Sequence, residues 1–103
     1  MSKVNKICIL GGGTSGFSIA SILSRYNELN NRNLDITVVF SSDIGNIGVG
    51  ESTLLSVNDL FYYLGLSDSD WMKRSNATYK TSISFENFYK QGTKFQYPFG
   101  KPK

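Results

Sequence analysis

An α/β fold is predicted for this 103-residue chain on three observations. An apolar run, Ile7 to Leu10, breaks at three consecutive glycines. A segment with helical apolar spacing follows. A second run, rich in β-branched residues, then arrives within the roughly 30 residues that a strand–helix–strand unit occupies. Strands that alternate with helices in this way imply a parallel sheet.

The elements follow in chain order. Val4 to Leu10 (VNKICIL) ends in a nearly continuous apolar stretch, the pattern of a strand buried on both faces. Cys8 within it is expected to be a buried, inert thiol. From Thr14 the spacing turns helical: Ile19, Ile22, Leu23 and Tyr26 fall at i, i+3, i+4 and i+7 and share one face. Asn30, Asn31 and Asn33 mark the helix end and a turn. Asp35 to Phe40 (DITVVF) reads as the second strand. Ser41 to Ser52 is a loop with three glycines, and Thr53 to Leu64 is helical again, with Val57, Leu60, Phe61 and Leu64 on one face. Gly65 stands where helices commonly end in a left-handed residue. Ser67 opens a short helix with Asp70 three residues on, an aspartate version of the capping box, and Trp71 and Met72 as its buried contacts. Tyr79 to Phe85 (YKTSISF) alternates: Tyr79, Thr81, Ile83 and Phe85 face one way, Lys80, Ser82 and Ser84 the other. That is a half-buried strand with one polar face. The end, Phe95 to Lys103 (FQYPFGKPK), carries no helix or strand stop signal and reads as chain on its way elsewhere. A complete doubly wound nucleotide fold with a substrate site needs more chain than this. Residues 1–103 are therefore expected to be either a minimal relative of such a fold or a fragment of one, and the C-terminal stretch favours a fragment.

Composition narrows the function classes. Hydrophobic residues make up 40% and charged residues 18%, as in a soluble globular chain. No apolar run approaches the roughly 20 residues that cross a bilayer, and Ile7 to Leu10 is too short for a signal-peptide core, so a cytoplasmic location without membrane attachment is expected. The net charge of +3 comes from scattered basic residues, with only Lys94, Lys101 and Lys103 clustered; a nucleic-acid partner is not expected. One cysteine rules out an internal disulfide. The absence of histidine removes Ser-His and Cys-His catalysis and most zinc sites within this chain, and no metal site is expected.

Chemistry concentrates in three places. Gly11-Gly12-Gly13-Thr14-Ser15-Gly16 fits G-x-G-x-x-G. Gly11 permits the tight turn out of the strand, Gly13 lets backbone approach a pyrophosphate, and Gly16 allows close packing of helix on strand. The N–H groups of the helix start, at Thr14 and Ser15, then face the phosphate charge with the helix dipole behind them. Strand before, helix after and second strand on schedule supply the context the motif demands, which makes this a Rossmann-type corner. The plain alternative is a glycine turn with no ligand. The acid that usually ends the second strand and binds a ribose hydroxyl is missing: Phe40 stands there, followed by Ser41, Ser42 and Asp43. Ser41 or Ser42 can donate a weaker hydrogen bond, whereas Asp43 lies three residues late. The second place is Ile47 to Thr53 (IGVGEST), whose glycines either let backbone approach a flat ring or a phosphate or simply precede a helix capped by Ser52 or Thr53. The third is Lys80, which its strand alone would leave as an ordinary solvated lysine.

Taken together, GGGTSGF after a strand, DIGNIGVGEST, FYYLGL, ATYKTSISFENF and YPFG resemble, in order and spacing from about Ile7 to Gly100, the N-terminal part of the flavin-dependent halogenases of the tryptophan halogenase group. GVGES and YK-x-x-I-x-F-E-N are the most specific of these. The resemblance implies a partial, truncated FAD-binding Rossmann-type fold. It implies reduced FAD supplied by a separate flavin reductase, and oxygen with chloride or bromide as co-substrate. The hypohalous acid formed passes to a lysine beside a small aromatic, tryptophan- or indole-like substrate, and Lys80 matches that catalytic lysine. With the glycine-loop reading, it implies cofactor contacts at Gly11, Gly13, Thr14, Ser15, Gly16, Ser41, Gly48, Val49, Gly50 and Glu51. The chain stops before the family's Trp-x-Trp-x-Ile-Pro segment, so activity of this polypeptide alone is not expected. Two other readings stay open. One is a fragment that binds a flavin nucleotide or a partner without chemistry; the other is the front end of a different FAD or NAD oxidoreductase.

Overall fold

The computed structural model describes residues 3–45, 47 and 52–100. Its chain divides into two units, Met1–Asp68 and Ser69–Lys103.

The first unit is built on a strand–helix–strand. β1 (Lys6–Leu10) pairs in parallel with β2 (Asp35–Val39), in a register that sets Lys6 against Asp35 and Leu10 against Val39. Hydrogen bonds from Asp35 N–H to the Asn5 carbonyl (2.8 Å) and from Gly11 N–H to the Val39 carbonyl (2.9 Å) extend the ladder at both ends. Between them runs α1 (Thr14–Leu29). Its C-terminus is tied to the approach of β2 by Asn27, whose side chain both donates to the Leu34 carbonyl and accepts from the Leu34 N–H, at 3.0 and 2.9 Å. Asn31, at φ 46°, makes the turn that the asparagine cluster predicts.

Two expectations for this unit are corrected. Both β1 faces were expected to be buried, yet the strand alternates between half-buried and exposed residues, and Cys8 is exposed. Ile7 and Ile9 are the shielded positions, and Ile9 reaches toward Gly16 of α1. The other face, with Cys8 and Leu10 beside Thr37 and Val39, is exposed. Of the predicted apolar face of α1, Leu23 is shielded and the other three residues are not. Gly16, Ser18, Ala20, Leu23, Arg25 and Asn27 are the half-buried positions along the helix, whereas Ile19, Ile22 and Tyr26 keep 49%, 39% and 40% of their surface exposed. Small residues let the helix lie close to the sheet, and the bulkier stripe is turned aside.

α2 (Ser56–Tyr63) keeps its predicted face: Val57, Leu60, Phe61 and Leu64 are half-buried and their neighbours exposed. It begins later than predicted. Leu55 precedes its first turn with no side-chain cap, so neither Ser52 nor Thr53 is the cap. Its end is as predicted. Gly65 adopts φ +75°, and the N–H groups of Gly65 and Leu66 bond back to the carbonyls of Tyr62 and Phe61, a Schellman closure. Arg25 of α1 donates to the Tyr63 carbonyl at 3.1 Å and ties the two helices.

α3 (Asp68–Ser75) follows, with Trp71 and Met72 its half-buried residues. The second unit then forms an antiparallel pair, β3 (Ser82–Glu86) with β4 (Lys94–Pro98). β3 starts three residues later than the alternation from Tyr79 suggests, so Lys80 precedes the strand. β4 overturns the reading of the C-terminal stretch as passing chain: Phe95 and Tyr97 alternate along a return strand. The connection is closed by Asn87, whose carboxamide oxygen accepts the Gly92 N–H at 2.7 Å, with Asn87 and Gly92 both at positive φ. Phe85 stacks on Phe95 across the pair (5.0 Å, 13°), Phe88 meets both edge-on, and Glu86 and Lys94 form an ion pair at 2.6 Å.

Among the described residues no helix is long and apolar enough to cross a membrane, and no group of residues is arranged to hold a metal ion.

Candidate functional site

The glycine loop joins the C-terminal end of β1 to the start of α1. Gly11 takes φ +129°, a backbone region that a residue with a Cβ rarely occupies, and so turns the chain sharply out of the strand. A Cβ on Gly16 would lie 2.0 Å from the Gly11 carbonyl oxygen. Only glycine at 16 lets the first helical turn sit against the loop. Gly13 is different: it precedes the helix in extended conformation (φ −85°, ψ −173°), and a Cβ there would meet nothing within 4 Å. The space above it is open.

The helix start is arranged to receive negative charge. Its first intrahelical bond runs from Phe17 N–H to the Gly13 carbonyl (3.1 Å), so the N–H groups of Thr14, Ser15 and Gly16 lie ahead of the helical ladder. Among the described residues no side chain caps them, and no acidic residue lies in the first turn to offset the positive end of the helix dipole.

Over this loop opens a cleft of about 1050 Å³, at the upper limit of small-ligand sites. Gly11, Gly12, Gly13 and Thr14 form its floor; Phe17, Phe40, Ser41 and Ser42 contribute walls. Gly11, Gly13, Thr14 and Ser41 of the expected cofactor set therefore come together. Gly16 supports the loop from behind, and Ser15 stands exposed on the first turn. Gly48, Val49, Gly50 and Glu51 lie outside the described residues. Asp43 does not come back to take the missing acid's place. It is held in a turn, its N–H donating to Ser41 Oγ at 3.2 Å, and it does not line the cleft.

Lys80 belongs to the second unit. The β3–β4 ladder is extended one step beyond the strands by a hydrogen bond from Phe99 N–H to the Thr81 carbonyl at 2.8 Å, and this brings Phe99 beside Lys80. The Lys80 ammonium lies 4.4 Å from the centroid of the Phe99 ring, a cation–π contact of about 0.5–1 kcal/mol at an exposed site.

Sequence reasoning missed two participants. Phe40 registers in the sequence as the absence of an acid, yet its ring is a wall of the cleft, packed edge-to-face on Phe17 at 5.9 Å. Phe99 was missed with β4; the period-two spacing of Phe95, Tyr97 and Phe99 is the signal that reveals both.

The sequence profile described as tryptophan halogenase matches residues 6–103. The chain is 47% identical over 91 residues to the 7-chloro-L-tryptophan 6-halogenase KtzR of Kutzneria sp. (strain 744), an overlap of 88% of this chain and 17% of that protein. It is 38% identical over 96 residues to the tryptophan 6-halogenase SttH of Streptomyces toxytricini, covering 92% of this chain and 18% of that one. The crystal structure of SttH superposes with a TM-score of 0.82 over 96% of this chain and 20% of the other, at 35% identity. Tar14, a tryptophan C-6 flavin-dependent halogenase from taromycin biosynthesis, gives 0.81 over 94% and 19%, at 42% identity. The chain thus spans about a fifth of the length of these relatives, and over that span it belongs to the tryptophan halogenase family.

Proposed function

We propose that residues 1–103 are the N-terminal, cofactor-binding part of a flavin-dependent halogenase that uses reduced FAD, oxygen and chloride or bromide to halogenate a small aromatic, tryptophan- or indole-like substrate. The observation that carries this reading is the cleft above Gly13 at the uncapped start of α1, in a chain whose relatives are tryptophan halogenases. Gly11, Gly13, Thr14, Ser15 and Gly16 would hold the pyrophosphate of FAD, through backbone N–H groups and the helix dipole. Ser41 would donate a hydrogen bond near the ribose, and Gly48, Val49, Gly50 and Glu51 complete the proposed contacts. When bound, reduced FAD supplies the two electrons that activate oxygen for oxidation of halide. A separate flavin reductase is the proposed source of those electrons, and the cytoplasm the proposed setting.

Lys80 is the proposed catalytic residue. Its ammonium can hydrogen-bond a hypohalous acid and polarise the O–halogen bond toward an electron-rich ring. In neutral form the amine can instead carry the halogen as a haloamine. Phe99 lies beside it, with its ring centroid 4.4 Å from the ammonium.

A second reading has its own support. No hydrophobic side chain among the described residues is buried, and a fragment so little packed suits a flavin-nucleotide-binding piece with no chemistry of its own. One experiment separates the two. In the Streptomyces toxytricini halogenase the matching N-terminal segment is replaced by residues 6–103, and the chimaera is given reduced FAD, oxygen, bromide and tryptophan. Bromotryptophan from the chimaera, with none from the isolated chain, supports a halogenase part that needs the remainder. A folded, flavin-binding chimaera that makes no product removes the catalytic reading.

A further inference from the structure

We infer that Phe40 determines specificity at the adenosine end of the cleft: its phenyl ring replaces recognition of the ribose hydroxyls by contact with the nucleoside. This rests on the proposed binding of FAD at the glycine loop. A dinucleotide site of this architecture ordinarily ends its second strand in a carboxylate, which accepts hydrogen bonds from the ribose and disfavours a 2′-phosphate. Phe40 follows directly on Val39, the last residue of β2, and so occupies that position. Its ring is held from two sides. A Cβ on Gly12 would lie 2.6 Å from Phe40 Cγ, so the ring rests on the loop backbone where only glycine leaves room, and Phe17 from α1 meets it edge-to-face. The ring is nevertheless 59% exposed and lines the cleft, so it has surface left for a ligand.

The rest of the lining sharpens the consequence. Among the described residues, every side chain along the cleft is apolar or a neutral hydroxyl, and the nearest acid in sequence, Asp43, is outside it. Among the described residues no carboxylate lines it to read a 2′-hydroxyl or repel a 2′-phosphate, and no cation lines it to attract one. What remains is phosphate held by backbone, the weaker hydrogen bond of a neutral hydroxyl such as Ser41 near the ribose, and adenine or ribose carbon held against an aromatic surface. A site of that kind binds adenosine diphosphates with near indifference to the 2′ substituent.

The test is calorimetric titration of the 103-residue chain, and of the chimaera described above, with ADP, 2′-deoxy-ADP and 2′-phospho-ADP, with FMN as the ligand lacking adenosine. The three adenine nucleotides are expected to bind within about threefold of one another. Phe40→Glu should restore discrimination, favouring the 2′-hydroxyl about tenfold or more over both alternatives, the weight of a hydrogen bond to a charged group. Phe40→Leu, which keeps the apolar bulk, should weaken all three adenine nucleotides together, about tenfold as for loss of base–aromatic contact, and leave FMN unchanged. A wild-type loss of more than tenfold on removing the 2′-hydroxyl overturns the role of Phe40 while leaving the cofactor site standing. Equal affinities in wild type and Phe40→Leu overturn it as well. Failure of both proteins to bind any adenine nucleotide overturns this inference together with the FAD-binding reading beneath it.

Discussion

At the scale of single residues, two side chains separate binding from chemistry. Gly13 stands in open space with an ordinary backbone conformation, so a larger residue there strains nothing in the fold. Gly13→Val in the chimaera should therefore leave thermal stability within about 0.5 kcal/mol and abolish FAD binding, because the side chain takes the space left for pyrophosphate. Flavin fluorescence titration reads the outcome, and retained affinity would remove the phosphate-loop assignment. Lys80→Ala should do the reverse. If the lysine acts after oxygen and halide have reacted, the variant binds flavin and consumes oxygen as before but yields no halogenated product. A purely structural lysine predicts near-normal turnover. Lys80→Arg keeps the charge while staying protonated at any working pH, so wild-type product from it would show that a neutral amine is not required.

At the scale of elements, the glycine loop and α1 are one object. Gly16 is required where it is because the loop carbonyl of Gly11 fills the place of its Cβ. Gly16→Ala must push α1 off the loop or deform the turn, and in the chimaera it should cost about 3 kcal/mol, at the upper end for an overpacked contact. Denaturant unfolding measures this, and an unchanged midpoint would mean that helix and loop are not packed as described. The same elements show how much the sequence disclosed. G-x-G-x-x-G located the turn and the helix start to the residue, since each glycine answers a local steric demand. The closure of α2 at Gly65 was equally legible, because a Schellman end involves only residues a few positions apart. The pairing of β4 with β3 was not, and neither was the aromatic wall of the cleft. Phe40 and Phe17 are 23 positions apart in sequence, and neither has a local pattern that points to the other.

At the scale of the whole molecule, exposed apolar surface dominates. Ile19, Ile22 and Tyr26 on α1 and Leu10 on β1, 87% exposed, are residues that a complete domain usually covers. With so little buried, the isolated chain should be marginally stable: a broad, weakly cooperative thermal transition and binding of a hydrophobic dye are the expected outcomes, and a sharp cooperative melt of the purified monomer would contradict them. By itself the sequence determined the strand–helix–strand order of the first unit, the loop, the start of α1, the Gly65 closure of α2 and the family, because these depend on contacts within a turn or on motifs read in linear order. The tertiary structure alone decided that Ile19, Ile22 and Tyr26 of α1 are turned aside, that FQYP returns to pair with β3, and that Phe40 closes over Gly12. Each of these is a contact between segments far apart in the chain. Its outcome turns on which surfaces can approach most closely; a local periodicity such as that of Phe95, Tyr97 and Phe99 marks an element but not its partner.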